Sequence, residues 1–213
     1  MPLEYEYRYQ NINKTKILKK IQELGGYKTG HWIFRVQVFI HSHKNPNTYI
    51  RVRDEGHRIT MTTKITNNKE FINENEVIVS NFEQACAILL DTGCTKKYYY
   101  EKIREIWILN NAEICFDTNP GRPDLMEIET ISKKELLKVV KELDLVSVSH
   151  NDFTEMELYK NAFGIESIPK SVDLTFLNVK KKLSNLVTKN KTKFDDLIKE
   201  QKKLYLSLIK DKK

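Results

Sequence analysis

Little in this 213-residue sequence could act as a covalent or metallic staple. Three Cys, an odd number without metal-ligand spacing, make neither a disulfide framework nor a cysteine-rich metal module. Seven Gly and five Pro exclude collagen-like and Pro/Gly-rich low-complexity chains. No apolar run approaches the roughly 20 residues of a membrane-spanning helix. The opening Met-Pro-Leu-Glu-Tyr-Glu lacks the charged-then-apolar order of a signal peptide. No Gly-rich Walker loop is present, so any bound phosphate must be held by side chains. These absences lead to the expectation of a soluble, cytoplasmic protein with no membrane partner.

Hydrophobic residues make up 40% of the chain and charged residues 31%, enough for a buried core under a wet surface. The net charge of +7 would ordinarily suggest nucleic acid, but it is unevenly spread. From Lys170 onward there are 13 Lys against 5 Asp and Glu, a surplus of eight. The first 169 residues carry 23 basic against 24 acidic groups and are nearly neutral. This divides the chain into a body, residues 1–168, and a Lys-rich amphipathic helical extension, residues 169–213.

The body reads as eight strands with helices between them. Residues 2–10 alternate strictly, with Leu3, Tyr5, Tyr7 and Tyr9 on one parity and Glu4, Glu6 and Arg8 on the other. Further strands are predicted over Trp32–Ile40, Tyr49–Asp54, Arg58–Lys64, Ile72–Val79, Lys97–Leu109, Ala112–Thr118 and Leu125–Ile131. Helices are predicted over 15–24, over 82–91 behind Ser80 as N-cap, after the Ser132-x-x-Glu135 capping box, and from Thr154 to Gly164. In the extension, apolar residues from Leu183 to Leu208 fall at helical spacing, and Asn190-Lys-Thr is the expected break.

The polar face of each strand is the informative feature. Glu4, Glu6 and Arg8 share one, Arg51 and Arg53 another, and Lys64 follows Thr60 and Thr62. Glu74 pairs with Glu76, Lys102 with Arg104, and Glu127 with Glu129, while Asp117 is in phase with Glu113 and Cys115. One such face simply meets water. Here nearly every strand repeats it, and the signs are sorted by strand. If the sheet closes into a barrel the faces converge on one lumen, where opposite charges must pair or be organised by a ligand. Paired carboxylates suit a hard cation, Mg²⁺ or Mn²⁺. Sets of Arg and Lys suit a phosphate chain. Together they supply what phosphoryl transfer requires.

The same residues, in order, resemble the CYTH, or triphosphate tunnel metalloenzyme, superfamily. Glu4-Tyr-Glu6-Tyr-Arg8 is similar to its opening Glu-x-Glu-x-Lys signature. Tyr49-Ile-Arg51-Val-Arg53, then Ile59 to Lys64, resemble the next strands. Lys102-Ile-Arg104, Phe116-Asp117, Pro120-Gly121 and Met126-Glu127-Ile128-Glu129 resemble the closing elements. The resemblance implies an α+β fold, an eight-stranded antiparallel β-barrel tunnel with flanking helices. It implies a divalent metal on Glu4, Glu6 and Glu129, with Glu127, Glu74 and Glu76 contributing. Arg8, Arg51, Arg53, Lys64, Lys102 and Arg104 would hold phosphates. Asp117 would orient a basic neighbour or metal-bound water, which makes Glu4, Glu6, Arg8 and Asp117 the catalytic set. Arg8 replaces the signature lysine, as in the similar tunnels of RNA 5′-triphosphatase modules from large DNA virus capping enzymes.

The implied reaction is metal-dependent hydrolysis of a triphosphate, whether tripolyphosphate or a nucleoside or organic triphosphate. A class IV-type adenylyl cyclase, an RNA 5′-triphosphatase and a non-catalytic polyphosphate binder are the alternatives. His41-x-His43 reads as an exposed strand end, Cys86 as core, and Cys115 as facing the lumen without marking a nucleophile. Tyr98-Tyr99-Tyr100 reads as packing or as a stacking platform. The extension reads as an amphipathic helix packed on the barrel, with RNA contact or a second copy of the chain as the other roles.

Overall fold

The computed structural model describes residues 5–41, 48–68, 71–151, 153–169 and 173–210, without the side chains of 66–68 and 71–73. Glu4, and His43 of the histidine pair, lie outside these residues. Eight strands form one antiparallel sheet: β1 (Tyr5–Gln10), β2 (Tyr27–His41), β3 (Thr48–Asp54), β4 (Ile59–Asn68), β5 (Phe71–Ile78), β6 (Cys94–Leu109), β7 (Ala112–Thr118) and β8 (Leu125–Thr130). Their order is β1-β8-β7-β6-β2-β3-β4-β5. Among the described residues no ladder joins β1 to β5, yet Glu6 of β1 and Glu76 of β5 line one cavity. The sheet is thus a barrel-like tunnel curled round a lumen and left with a seam, rather than a strictly closed barrel.

Strand alternation builds the wall. Tyr9, Ile114, Phe116, Met126 and Ile128 turn outward and are almost fully buried under α1 (Lys14–Glu23) and α3 (Lys133–Glu142). α2 (Phe82–Asp91) covers Phe39 and Val52 with Phe82 and Leu89. The N-cap of α2 is Asn81, not Ser80: its Oδ1 accepts the Gln84 N–H at 2.8 Å. Ser80 stands one residue too early to reach that amide. β2 begins at Tyr27, five residues before the apolar run, because ladder pairing with β6 extends through Lys28 and Gly30.

Residues beyond the barrel pack on it. α4 (Glu155–Phe163) opens with a complete Thr154–Glu157 capping box and ends at Gly164 in the left-handed region. Its Tyr159 and Phe163 join Val179 and Leu183 of α5 (Val179–Leu183) and Phe194 and Ile198 of α6 (Lys191–Lys210) in one cluster. Phe176 and Tyr205 cover Ile33 and Ile103 on the outer face of β2 and β6. The break between α5 and α6 falls at Asn190, at φ 54°.

An ion pair fastens α1 to this wall. Glu105, on the outward parity of β6, meets Lys14 Nζ at 2.8 Å and Lys28 Nζ at 3.1 Å, and accepts from Trp107 Nε1 at 3.0 Å. Burial alone would push its carboxyl up. The Lys14 bond, with Trp107 and Lys28, overrides that and brings it down to about 2. A depressed carboxyl stabilises the fold above the ordinary pKa, and the stabilisation is lost as pH falls through the folded value. The expected contribution is about 3 kcal/mol at neutral pH. Glu105→Gln should be destabilised by up to that amount at pH 7 in urea denaturation, and the difference should shrink between pH 4.5 and 2. A pH-independent difference would count against the ion pair as its cause.

Candidate active site

The inward parity of the strands lines a cavity of ≈ 1870 Å³. Glu6, Arg51, Arg53, Lys64, Glu74, Glu76, Lys102, Arg104, Asp117, Glu127 and Glu129 all reach it. Ladder registers set their neighbours. Glu6 stands opposite Glu129, which stands opposite Glu113, so three carboxylate positions run side by side across β1, β8 and β7. Arg104 is opposite Asp117 on one side and Trp32 on the other. Lys64 is opposite Glu74, and Thr62 opposite Glu76.

Asp117 is the most constrained of these groups, at 3% exposure. Arg104 grips it with a two-pronged fork, Nε to Oδ1 and NH2 to Oδ2, both at 2.6 Å, while Lys102 Nζ reaches Oδ2 at 2.8 Å. Burial would raise its pKa, but Lys102 and then Arg104 more than offset this and hold it well below the ordinary carboxylate range. Arg104 also bonds Glu127. Burial, opposed by Asp117, lowers the Lys102 pKa.

The other cations are less satisfied. Arg51 meets Glu76 only at 4.0 Å, and Arg53 meets it at 3.8 Å while pairing with Glu55. Burial and then the Arg51 charge lower the Arg53 pKa. The buried Nε atoms of both Arg51 and Arg53 have no hydrogen-bond partner. Lys64 pairs with Glu74. Among the acids, burial and then the charge of Glu127 raise the Glu6 pKa.

Arg8 lies on the same parity as Glu6 but is not among the lining residues. Its guanidinium reaches Glu155 Oε1 at 2.6 Å and covers the Phe153 ring at 5.2 Å, with Glu6 and Glu127 each at 3.7 Å. Cys115 shares the inward parity and is buried, its thiol donating to Glu113 Oε1 at 3.2 Å, and burial pushes its pKa up. Cys86 is core. Tyr98 and Tyr100 line the cavity, whereas Tyr99, on the opposite parity, packs beside α2.

Several lining residues were not singled out from the sequence. Phe34 has Lys102 at 5.4 Å and Arg53 and Arg104 at 5.9 Å from its ring centre, an aromatic face shared by three cations. Trp32 folds over Gly30, where a Cβ would fall 1.6 Å from the indole, and it faces His57 at 4.4 Å. Parity within β2 was the available signal for Trp32 and Phe34. Arg122, Glu155 and Tyr159 arrive from a loop and a helix, where parity says nothing. Among the described residues, no three His, Cys, Asp or Glu converge tightly enough to cage a metal ion by themselves. Likewise, no helix among them is long and apolar enough to cross a membrane.

The CYTH domain model matches residues 3–157, nearly three-quarters of the chain. The chain belongs to the CYTH family. This family includes triphosphatases and adenylyl cyclase-like proteins. Solved structures share the fold. A protein of Pyrococcus horikoshii is 23% identical, with a TM-score of 0.60 over 73% of this chain and 99% of its own. A conserved hypothetical protein of Pyrococcus furiosus is 20% identical, with a TM-score of 0.60 and the same coverage of 73% and 99%. A proposed adenylate cyclase of Vibrio parahaemolyticus is 13% identical, with a TM-score of 0.61 over 75% of this chain and 98% of its own. None of the curated proteins matches this CYTH chain.

Removing Asp117 leaves two buried cations facing each other. Asp117→Ala is expected to lose about 3 kcal/mol or more of stability, the usual consequence of breaking a buried ion pair from one side. Urea denaturation at neutral pH measures it. A loss below about 1 kcal/mol would mean that lumen water already screens Lys102 from Arg104.

Proposed function

We propose that this CYTH protein is a divalent-metal-dependent hydrolase of triphosphate compounds. The observation that supports it most is the pair Arg51 and Arg53. They sit at alternate positions of β3 with buried Nε donors unpartnered, in the same cavity as Lys102, Arg104 and the aligned Glu6 and Glu129. An unpaired buried donor is costly, and phosphate oxygens are its natural acceptors.

The residues fit Mg²⁺ or Mn²⁺. Their donors are carboxylate oxygens, and the raised pKa of Glu6 reflects burial and negative crowding that a cation would relieve. Mg²⁺ commonly takes only one or two carboxylates and completes its shell with water and substrate phosphates, so a full protein cage is not required. Glu6 and Glu129 would hold it, with Glu4 beside them in sequence and Glu127 as a contributor. Glu74 and Glu76, paired with Lys64 and with Arg51 and Arg53, are better placed to hold those bases in position. When bound, the metal neutralises phosphate charge and polarises the terminal phosphoryl group.

Arg51, Arg53, Lys64, Lys102 and Arg104 grip the non-bridging oxygens and fix the phosphate chain along the lumen. Asp117 keeps Lys102 and Arg104 upright so that their free N–H groups face substrate. Arg8 acts from behind the carboxylates through Glu127 and Glu155. Water attacks the terminal phosphorus in line, the bridging P–O bond breaks, and the basic residues stabilise charge gathering on the leaving phosphate.

Tripolyphosphate, ATP and triphosphate-ended RNA, each assayed with Mg²⁺ and with Mn²⁺, test this reading. Orthophosphate release is expected, and Glu129→Ala should slow it by about 100-fold or more while circular dichroism is unchanged. Lys102→Ala should weaken substrate binding. Pyrophosphate with cyclic AMP from ATP would instead establish a cyclase, and binding without turnover under either metal would establish a polyphosphate-binding module.

A further inference from the structure

This chain continues well past the part that matches its family. The CYTH match ends at residue 157, and 73% of this chain suffices to span 99% of the Pyrococcus horikoshii protein. The remainder nevertheless builds part of the tunnel. β7 ends at Thr118, opposite Ile103, so the β6 edge from Tyr99 to Glu101 has no β7 partner. Leu174 takes that place. Its N–H donates to the Tyr99 carbonyl at 3.2 Å, its carbonyl accepts from the Glu101 N–H at 3.1 Å, and it lines the cavity.

α6 reaches deeper. Gln201, 4% exposed, inserts its amide into the β7–β8 loop. Its nitrogen donates to the carbonyls of Asn119 at 3.0 Å and Arg122 at 2.9 Å, and its oxygen accepts the Gly121 N–H at 2.9 Å. Gly121 lies at φ 75°, and a Cβ there would meet Val179 Cγ2 at 2.7 Å, so α5 also presses on the loop. One side chain of the extension therefore fixes three backbone groups around Arg122.

Arg122 itself is 3% exposed and lines the cavity. Its NH2 meets Glu155 Oε2 at 2.7 Å, and its NH1 lies 3.5 Å from the Pro123 carbonyl. Glu155 is more than half exposed and is shared with Arg8, so two guanidiniums draw on one carboxylate. A guanidinium has five N–H donors and is always charged. Its only carboxylate within ion-pair distance among the described residues is that shared Glu155, with Asp124 acting from farther away, and an anion in the cavity would give it a further partner.

We propose that Arg122 is a further phosphate-binding residue of the tunnel, and that Gln201 of the carboxy-terminal helix is its positioning residue. This rests on the triphosphate reading given above. The extension is then a working part of the site, and its role is to aim one arginine.

Calorimetric titration of the full chain with sodium tripolyphosphate, without divalent metal so that nothing turns over, tests both roles. Arg122→Ala is expected to weaken binding about ten-fold, and Arg122→Lys to come within about three-fold of the unaltered chain, since the charge survives without the fork. Gln201→Ala should weaken it about five-fold although it touches no ligand, and the double variant should bind no worse than Arg122→Ala alone. Should Gln201→Ala fail to fold, Gln201→Glu keeps the acceptor for Gly121, removes the amide donor, and should weaken binding in the same way. Unchanged binding by Arg122→Ala beside a clear loss in Lys102→Ala would overturn the proposal and leave the triphosphate reading intact. Losses that multiply in the double variant would overturn the role of Gln201. No binding by the unaltered chain would overturn both readings together.

Discussion

Charge taken out of water must find a partner, and Asp117 is where this structure meets that constraint. From its carboxylate a line of opposite charges runs across the wall of the tunnel. Lys102 and Arg104 hold Asp117, Arg104 turns to Glu127, Glu127 to Arg8, Arg8 to Glu155, and Glu155 to Arg122. The line ties β6 and β7 to β8, β1, α4 and the β7–β8 loop. Each member is oriented by its neighbours, so the functional groups of one wall form a single electrostatic unit. Such networks confer geometry more surely than stability, because desolvation offsets much of the attraction.

The opposite wall is organised differently. Arg51 and Arg53 have longer contacts to Glu76 and keep unpartnered donors. Phe34 lies between the two walls, its ring facing cations from both β3 and β6. The first wall is thus the more fully paired, although the buried Arg8 Nε has no hydrogen-bond partner and Arg122 shares its carboxylate with Arg8, while the second keeps two unpartnered guanidinium donors. Both walls therefore retain hydrogen-bonding capacity that an anion can meet.

Much of this was legible in the sequence because strands report their own geometry. A period of two assigns each residue to a face, so Glu6, Arg51, Lys102 and Glu129 could be placed on a lumen before any contact was known. The limits of that reasoning are equally physical. Parity places Arg8 on the face of Glu6, but it says nothing of Glu155 and Phe153, the helix and loop groups that its guanidinium also meets. Arg122, Glu155 and Gln201 sit on a loop and two helices, and their convergence depends on contacts across 33 to 79 residues of chain that no local pattern encodes. Trp32 and Phe34 lie in an apolar strand whose two faces look alike in sequence, so alternation there does not tell lumen from core. Only the curl of the sheet turns that face into a lumen.

The seam between β1 and β5 gives this tunnel a property that a closed barrel lacks. In a closed barrel, strand number and stagger fix the girth through an unbroken circuit of hydrogen bonds. Here, among the described residues, the ladder stops at two free edges, one bearing Glu6 and the other Glu74 and Glu76. Each edge carries its own counter-charge, Lys64 beside Glu74, Arg51 and Arg53 beside Glu76, and Arg8 beside Glu6. Along that seam, among the described residues, the wall is held by side-chain ion pairs to neighbouring strands rather than by a circuit of backbone hydrogen bonds.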